Sequence, residues 1–172
     1  EYNKALVSIY NLDGQSYTNS IQVDLNFIPV ERLSVFATYR YTDAKVDLKN
    51  QGLVKKPMVD KFKALLNLQY ATKMNKWTFD ATAQLNGPAR IPTQTGDLDD
   101  SYYSPRYPMF FAQVSRKIGK VDLYAGCENI ADYRQKTPIL NADRPWSAGF
   151  NSSVVWGPLM GRKFYIGMRW NL

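Results

Sequence analysis

The chain has 172 residues, with 22 Lys+Arg against 15 Asp+Glu and a formal net charge of +7. Its single Cys excludes an internal disulfide framework and a cysteine-built zinc site, and the lack of His excludes Ser-His-Asp and Cys-His triads. Apolar residues at 45% exclude disorder by composition, no run reaches the length of a transmembrane helix, and 12 Tyr with 8 Phe and 4 Trp favour strands.

The first pattern, over Lys4–Asn11, is a weak strand that Glu1 opens into directly. With no leader ahead of it, a fragment or a processed chain is expected. From Tyr17 the period is two. Tyr17, Ile21, Val23, Leu25 and Phe27 alternate with Thr18, Ser20, Gln22, Asp24 and Asn26. Leu33, Val35, Ala37, Tyr39 and Tyr41 alternate with Ser34, Phe36, Thr38, Arg40 and Thr42. Phe62, Ala64, Leu66, Leu68 and Tyr70 form the next row, and Trp77, Phe79, Ala81, Ala83 and Leu85 the one after. Phe110–Arg116 alternates less cleanly. Val121, Leu123, Ala125 and Cys127 precede a last row of Phe164, Ile166, Met168, Trp170 and Leu172. The sum is about eight antiparallel strands of roughly ten residues, against about five to six in soluble proteins. Strands of that length match a bilayer.

The links alternate. Pro29–Arg32, Thr72–Asn75 and Ile118–Lys120 are tight, whereas Ala44–Asp60, Gly87–Pro108 and Ala131–Arg162 are long. Short turns at one end and long loops at the other are the habit of outer-membrane barrels, which places the C-terminus in the periplasm. In lipid the sheet must close, with apolar side chains outward and polar ones toward the lumen. Tyr17 with Phe27, Phe62 with Tyr70, and Phe164 with Trp170 bracket the apolar band as interfacial girdles do. The lumen-facing set is then Asp24, Arg40, Lys63, Asp80, Arg116, Glu128 and Arg169. A soluble sandwich with an aromatic core is the competing arrangement.

The segment Leu123–Tyr133, with Glu128-Asn129-Ile130-Ala131-Asp132, resembles the penultimate strand of TonB-dependent receptors. Val155–Leu172, with Gly161-Arg162, is similar to that family's closing strand. Arg134-Gln135, Pro138-Ile139 and Trp156-Gly157-Pro158 resemble receptors of Bacteroidetes type. The chain departs from many outer-membrane proteins in ending on Leu172, with Trp170 two residues earlier, where a terminal Phe is read by the assembly machinery. The resemblance implies the last eight strands of a 22-stranded barrel. The whole of 1–172 would be barrel, with the plug, the TonB box and the earlier strands outside this chain.

Individual residues follow from that frame. Gly161-Arg162 is expected to turn the last loop into the last strand, Gly for its backbone freedom and Arg for a nearby carboxylate. Glu128, Asn129 and Asp132 are expected to organise the preceding turn. The long loop Asn86–Tyr107 is the ligand candidate: Arg90, Tyr102, Tyr103, Arg106 and Tyr107 offer stacking and cationic contacts, and Asp97, Asp99 and Asp100 offer oxygens. EF-hand spacing is absent, so no metal site is assigned. Cys127 reads as a small lipid-facing side chain.

The function expected is outer-membrane import of a scarce nutrient (siderophore, haem, corrinoid, metal complex or oligomer) with energy from TonB. The partners expected are outer-membrane lipid, the TonB complex through the absent N-terminal region, the barrel-assembly machinery, a surface lipoprotein and the ligand, but not nucleic acid. No cofactor and no enzymatic activity are expected, since barrel hydrolases rely on His. The alternatives are a complete eight-stranded adhesin or structural barrel and a soluble basic β-domain that binds nucleic acid.

Overall fold

The computed structural model describes residues 9, 11–12, 14–48, 52–91, 103–139, 141–147, 150–152 and 155–171. They form one antiparallel sheet: β1 (Tyr17–Val30), β2 (Leu33–Leu48), β3 (Gly52–Lys55), β4 (Phe62–Ala71), β5 (Trp77–Asn86), β6 (Tyr107–Ile118), β7 (Val121–Glu128) and β8 (Lys163–Trp170). Spatial order follows chain order, with β3 set apart on the far half of β2. A 3-10 turn at Lys73–Asn75 is the one helical element among the described residues. β1 and β8 occupy the two edges and the sheet does not close.

The all-β antiparallel reading holds at eight strands, but the membership differs. The Lys4–Asn11 pattern lies outside the described residues apart from Ile9 and Asn11, neither of which is in a strand. β3 fills the eighth place, inside the segment Ala44–Asp60 that reads as a loop. Beyond Thr42 the phase of alternation flips. On Leu33–Tyr41 the odd residues are apolar, whereas on Asp43–Leu48 the odd residues are Asp43, Lys45 and Asp47 and the even ones are Ala44, Val46 and Leu48. The strand continues unbroken through that flip, and β3 pairs with it at Val46↔Val54 and Lys45↔Lys55.

Three tight links sit at one end. Arg32 has φ 71° in the β1–β2 turn and Gly119 has φ 60° in the β6–β7 turn, the left-handed region where Gly carries no steric cost. In the β4–β5 turn, Thr72 Oγ1 accepts from the Trp77 N–H at 2.9 Å. The strand ends that the long links 87–106 and 129–162 join lie at the opposite end.

Register assigns the faces, because paired residues share a side. One row runs Leu25, Ala37, Leu66, Ala83, Phe110, and the next runs Phe27, Val35, Leu68, Ala81, Ala112, Cys127, Phe164. This apolar face lies open: Leu25 is 58%, Ile166 87% and Trp170 63% accessible. Large aromatics sit toward both of its ends, with Tyr41, Phe62 and Phe164 at the loop end and Phe27, Tyr70, Trp77 and Trp170 at the turn end. Phe62 to Tyr70 spans roughly 26 Å of strand at about 3.3 Å per residue. Buried apolar residues among those described are Ala44, Ala89 and Ile91 alone, all at the loop end. The sheet body therefore has no interior of its own.

Candidate functional site: the loop end and the polar face

The polar face is a hydrogen-bonded wall. Gln22 Nε2 donates to both oxygens of Asp24 at 2.9 Å, and its Oε1 accepts from Arg40 Nε at 2.8 Å. Asn67 Nδ2 donates to Thr82 Oγ1 at 2.8 Å, and Gln69 Nε2 to Asp80 Oδ1 at 3.0 Å. Lys63 Nζ meets Asp60 Oδ2 at 2.9 Å, and Lys163 Nζ meets Glu128 Oε2 at 3.0 Å. Arg169 pairs with Asp122 in register. Asp24, Arg40, Lys63, Asp80, Glu128 and Arg169 thus share one face.

Arg116 does not join them. It pairs with Trp77 and Leu123 on the apolar side, its guanidinium 5.0 Å from the Trp77 ring centroid. The Phe110, Ala112, Val114 row fixes that side, and Arg116 closes it at the turn end. There a cation over an indole, with its stem along apolar surface, suits an interface.

The β7–β8 link opens in a clasp. Asn129 (φ 50°) and Asp132 (φ 53°) both take the left-handed conformation that Asn and Asp tolerate best. Buried Asn129 accepts from the Tyr133 N–H at 2.9 Å and donates to the carbonyls of Tyr133 at 2.8 Å and Met160 at 3.2 Å. Asp132 Oδ1 accepts the Arg162 N–H at 2.8 Å and Arg134 Nη2 at 3.1 Å. That backbone N–H first, and the Arg134 hydrogen bond second, hold the Asp132 carboxyl below its ordinary pKa. The Arg162 guanidinium goes elsewhere, its Nε and Nη2 donating to the Ile130 carbonyl at 2.9 and 2.6 Å. So the backbone of Arg162, rather than its side chain, meets the carboxylate. Gly161 is required for space, not for its backbone angle: a Cβ there would collide with the Asp132 carboxylate and the Arg134 guanidinium.

A second layer closes the clasp from above. Buried Gln135 Oε1 accepts the Trp156 and Gly157 N–H groups at 2.9 and 3.1 Å. Tyr107 stacks on Tyr133 at 5.1 Å, and its hydroxyl donates to the Trp156 carbonyl at 3.2 Å. Burial raises the Tyr133 phenol. Gln135 entered the sequence reading only through a resemblance, with no role assigned to it. A polar residue in a loop carries no pattern, and its role appears only once Trp156 is brought beside it.

The residues proposed as a ligand-binding loop are dispersed. Asp97, Asp99, Asp100 and Tyr102 lie outside the described residues, as does Leu172. Arg90 is 1% accessible, its Nη1 donating to the Lys55 carbonyl at 2.8 Å. It is interior, and so is not the exposed cation that the loop reading required. Tyr107 belongs to β6 and is engaged by the clasp, which removes its ring as a free stacking surface. Tyr103 bridges Arg90 and lies 5.5 Å beneath Lys55 Nζ. Arg106 is exposed. Among the described residues no group of three or more acidic, Cys or His side chains is placed to hold a metal ion.

No family model matches the chain, and no curated protein matches it. Among solved structures it is similar to BauA, the ferric preacinetobactin receptor from Acinetobacter baumannii. The TM-score is 0.60 at 13% identity, over 91% of this chain and 22% of that one. The chain therefore has the fold of a stretch of a receptor whose own chain is about four times as long. Likeness at this identity carries the fold alone.

Proposed function

We propose that this chain forms part of the wall of a TonB-dependent receptor in the outer membrane of a Gram-negative bacterium, of the Bacteroidetes type that the clasp residues resemble. One observation carries the reading: a sheet with no interior leaves a continuous, aromatic-bounded apolar face uncovered. In water such an area, with Ile166, Phe164 and Ile21 each more than two-thirds accessible, exceeds what a soluble surface tolerates. Hydrocarbon is the solvent that removes the cost, and only a closed sheet satisfies its edges there. The open edges of β1 and β8 call for further strands, which favours part of a larger wall over a complete eight-stranded barrel. In this reading the polar face lines the lumen, energy comes from TonB through a region outside this chain, and the assembly machinery reads the C-terminal end. The substrate is an iron complex or another nutrient too scarce for passive pores.

Fractionation tests it. The protein is expected to stay with outer membranes through a carbonate wash, to need detergent for release, and to migrate faster unboiled than boiled. Release by buffer alone sinks the proposal. Orientation is read separately. With Cys127 replaced by Ser, a cysteine at Lys136 is expected to react with an impermeant maleimide on intact cells, and one at Asn75 is not. The reverse pattern would invert the assignment of the C-terminus to the periplasm.

A further inference from the structure

Arg116 is an isolated cation on the apolar face. Its neighbours along β6 on that side are Val114 and Ile118, and register sets Trp77 on β5 and Leu123 on β7 directly beside it. All four are apolar. The guanidinium lies 5.0 Å from the Trp77 ring centroid, and among the described residues none of its N–H groups reaches an acceptor. The charges that adjoin it in sequence belong to the other side. Lys117 pairs with Asp122, and Asp122 with Arg169, on the polar face, where Asp122 Oδ2 accepts from Asn171 Nδ2 at 2.8 Å. The acid of the β1–β2 turn, Glu31, is held by Arg32 at 3.3 Å. The described chain ends beside Lys120, whose carbonyl accepts the Asn171 N–H at 2.8 Å. Among the described residues, then, the turn end gives Arg116 an indole and no carboxylate.

A cation so placed can lower its cost in a membrane in two ways, by resting on a ring face and by reaching an anion in the headgroup layer. The first is present. The second follows from position: Trp77 and Trp170 stand at the turn-end boundary of the apolar band, and Arg116 pairs with Trp77. A guanidinium offers a planar fork of donors that matches two phosphate oxygens. We infer that Arg116, seated beside Trp77, holds the phosphate of one phospholipid from the leaflet at the turn end, with the acyl chains lying against the apolar face. This inference rests on the membrane reading above. The fork selects the anion, and the surround selects its source. Val114, Ile118, Leu123 and Trp77 suit a phosphate that arrives on acyl chains better than one dissolved in water.

The test uses the protein in maltoside micelles, which carry no phosphate. Phosphatidylglycerol, diacylglycerol of the same chains and glycerol 3-phosphate are the probes, read by native mass spectrometry and thermal shift. Phosphatidylglycerol is expected to remain bound at one copy and to raise the melting temperature, and the other two to do neither. R116Q is expected to weaken phosphatidylglycerol binding roughly fivefold, the scale of one basic residue at an anionic membrane surface, and R116K to restore part of it. K117Q removes the same charge from the opposite face and is expected to leave binding unchanged. Heat-modifiable migration verifies that each variant is folded. Binding untouched by R116Q overturns the inference, as do equal losses from R116Q and K117Q, since charge alone would then draw the lipid. Equal retention of diacylglycerol overturns it by removing the phosphate from the site, and a shift of equal size from glycerol 3-phosphate by making it a free-anion site. Each of these results leaves the membrane reading in place as long as the protein still needs detergent. Release of the protein by buffer alone removes that reading itself, and the lipid site with it.

Discussion

The body of the sheet and its loop end are built on opposite plans. In the body, Leu66 and Ile166 point outward and nothing apolar is buried, while Asn67, Gln69 and Asp80 link to one another on the polar face. At the loop end Ala44, Ala89 and Ile91 are buried, the charged Asp43 and Lys45 take over the face that Tyr41 and Tyr39 occupy lower down, and backbone groups are satisfied by Asn129, Asp132 and Gln135. A single strand, β2, belongs to both and inverts its polarity between Tyr41 and Asp43 without a break in pairing with β1. Sheet geometry is indifferent to which face is apolar. The surrounding solvent decides, and under the proposed membrane reading the inversion would map a change from hydrocarbon to water.

The sharpest way to break this contrast is a charge at the centre of the apolar face. Leu66→Arg, midway between Phe62 and Tyr70, is expected to destabilise the refolded protein by about 2–4 kcal/mol, the cost of Arg at the bilayer midplane. Its neighbour Asn67→Arg, one residue on and on the other face, is expected to cost far less. Urea titration in detergent or liposomes reads both, and equal losses would mean that the two faces meet the same solvent. Next comes a packing device inside the polar face. Tyr124 lies across Gly167, and Tyr165 lies across Gly126, each tyrosine covering the glycine of the opposite strand. The Tyr165 hydroxyl donates onward to Gln113 Oε1 at 2.9 Å. Gly167→Val would put its side chain into the Tyr124 ring and is expected to cost about 1–3 kcal/mol, with the near-ultraviolet circular dichroism of the tyrosines altered. A silent substitution would show that these rings are loosely held. At the loop end Asn129→Ala removes both carbonyl contacts and the Tyr133 N–H acceptor and places Ala at φ 50°, an expected cost of about 1–2 kcal/mol read by the same titration. A loss confined to proteolysis of 129–162, with the global midpoint unmoved, would instead make the clasp a separate local unit.

The body was legible in the sequence because a sheet with one apolar and one polar face imposes a strict period of two, and the tight turns at Arg32, Asn75 and Gly119 punctuate it. Legibility failed where that rule lapses. The far half of β2 and all of β3 were hidden because alternation read in one phase looks like noise in the other. Arg116 was misplaced by its charge, since an interfacial cation follows the register of Val114 rather than its own polarity. Arg90 looked like a ligand contact and is interior, because a neighbour on β3 supplies the carbonyl that makes burial tolerable. The clasp motif stood out as residue types, yet what Gly161 and Arg162 do depends on Asp132, thirty residues back in the chain.

The smallest effect discriminates between two accounts of the clasp, as a hydrogen-bonded turn or as an ion pair. Asp132 has a lowered carboxyl pKa, chiefly through the Arg162 N–H and secondarily through Arg134. A folded-state pKa below the unfolded one contributes stability that is fully present above the unfolded value, near 4, and is lost as pH falls through the folded value. Opening of the β7–β8 link, followed by amide exchange of Arg162 and Tyr133, is therefore expected to increase below about pH 4 in the native protein. The Asp132→Asn variant keeps an acceptor for the Arg162 N–H and is expected to flatten that dependence while leaving exchange at neutral pH nearly unchanged. Arg134→Gln is expected to matter less at every pH, because an exposed ion pair is screened by solvent and the backbone donor supplies the larger share. If Arg134→Gln abolished the pH dependence as completely as Asp132→Asn, and Asp132→Asn opened the turn already at neutral pH, the turn would be held by charge attraction, and the order of causes given for Asp132 would be reversed.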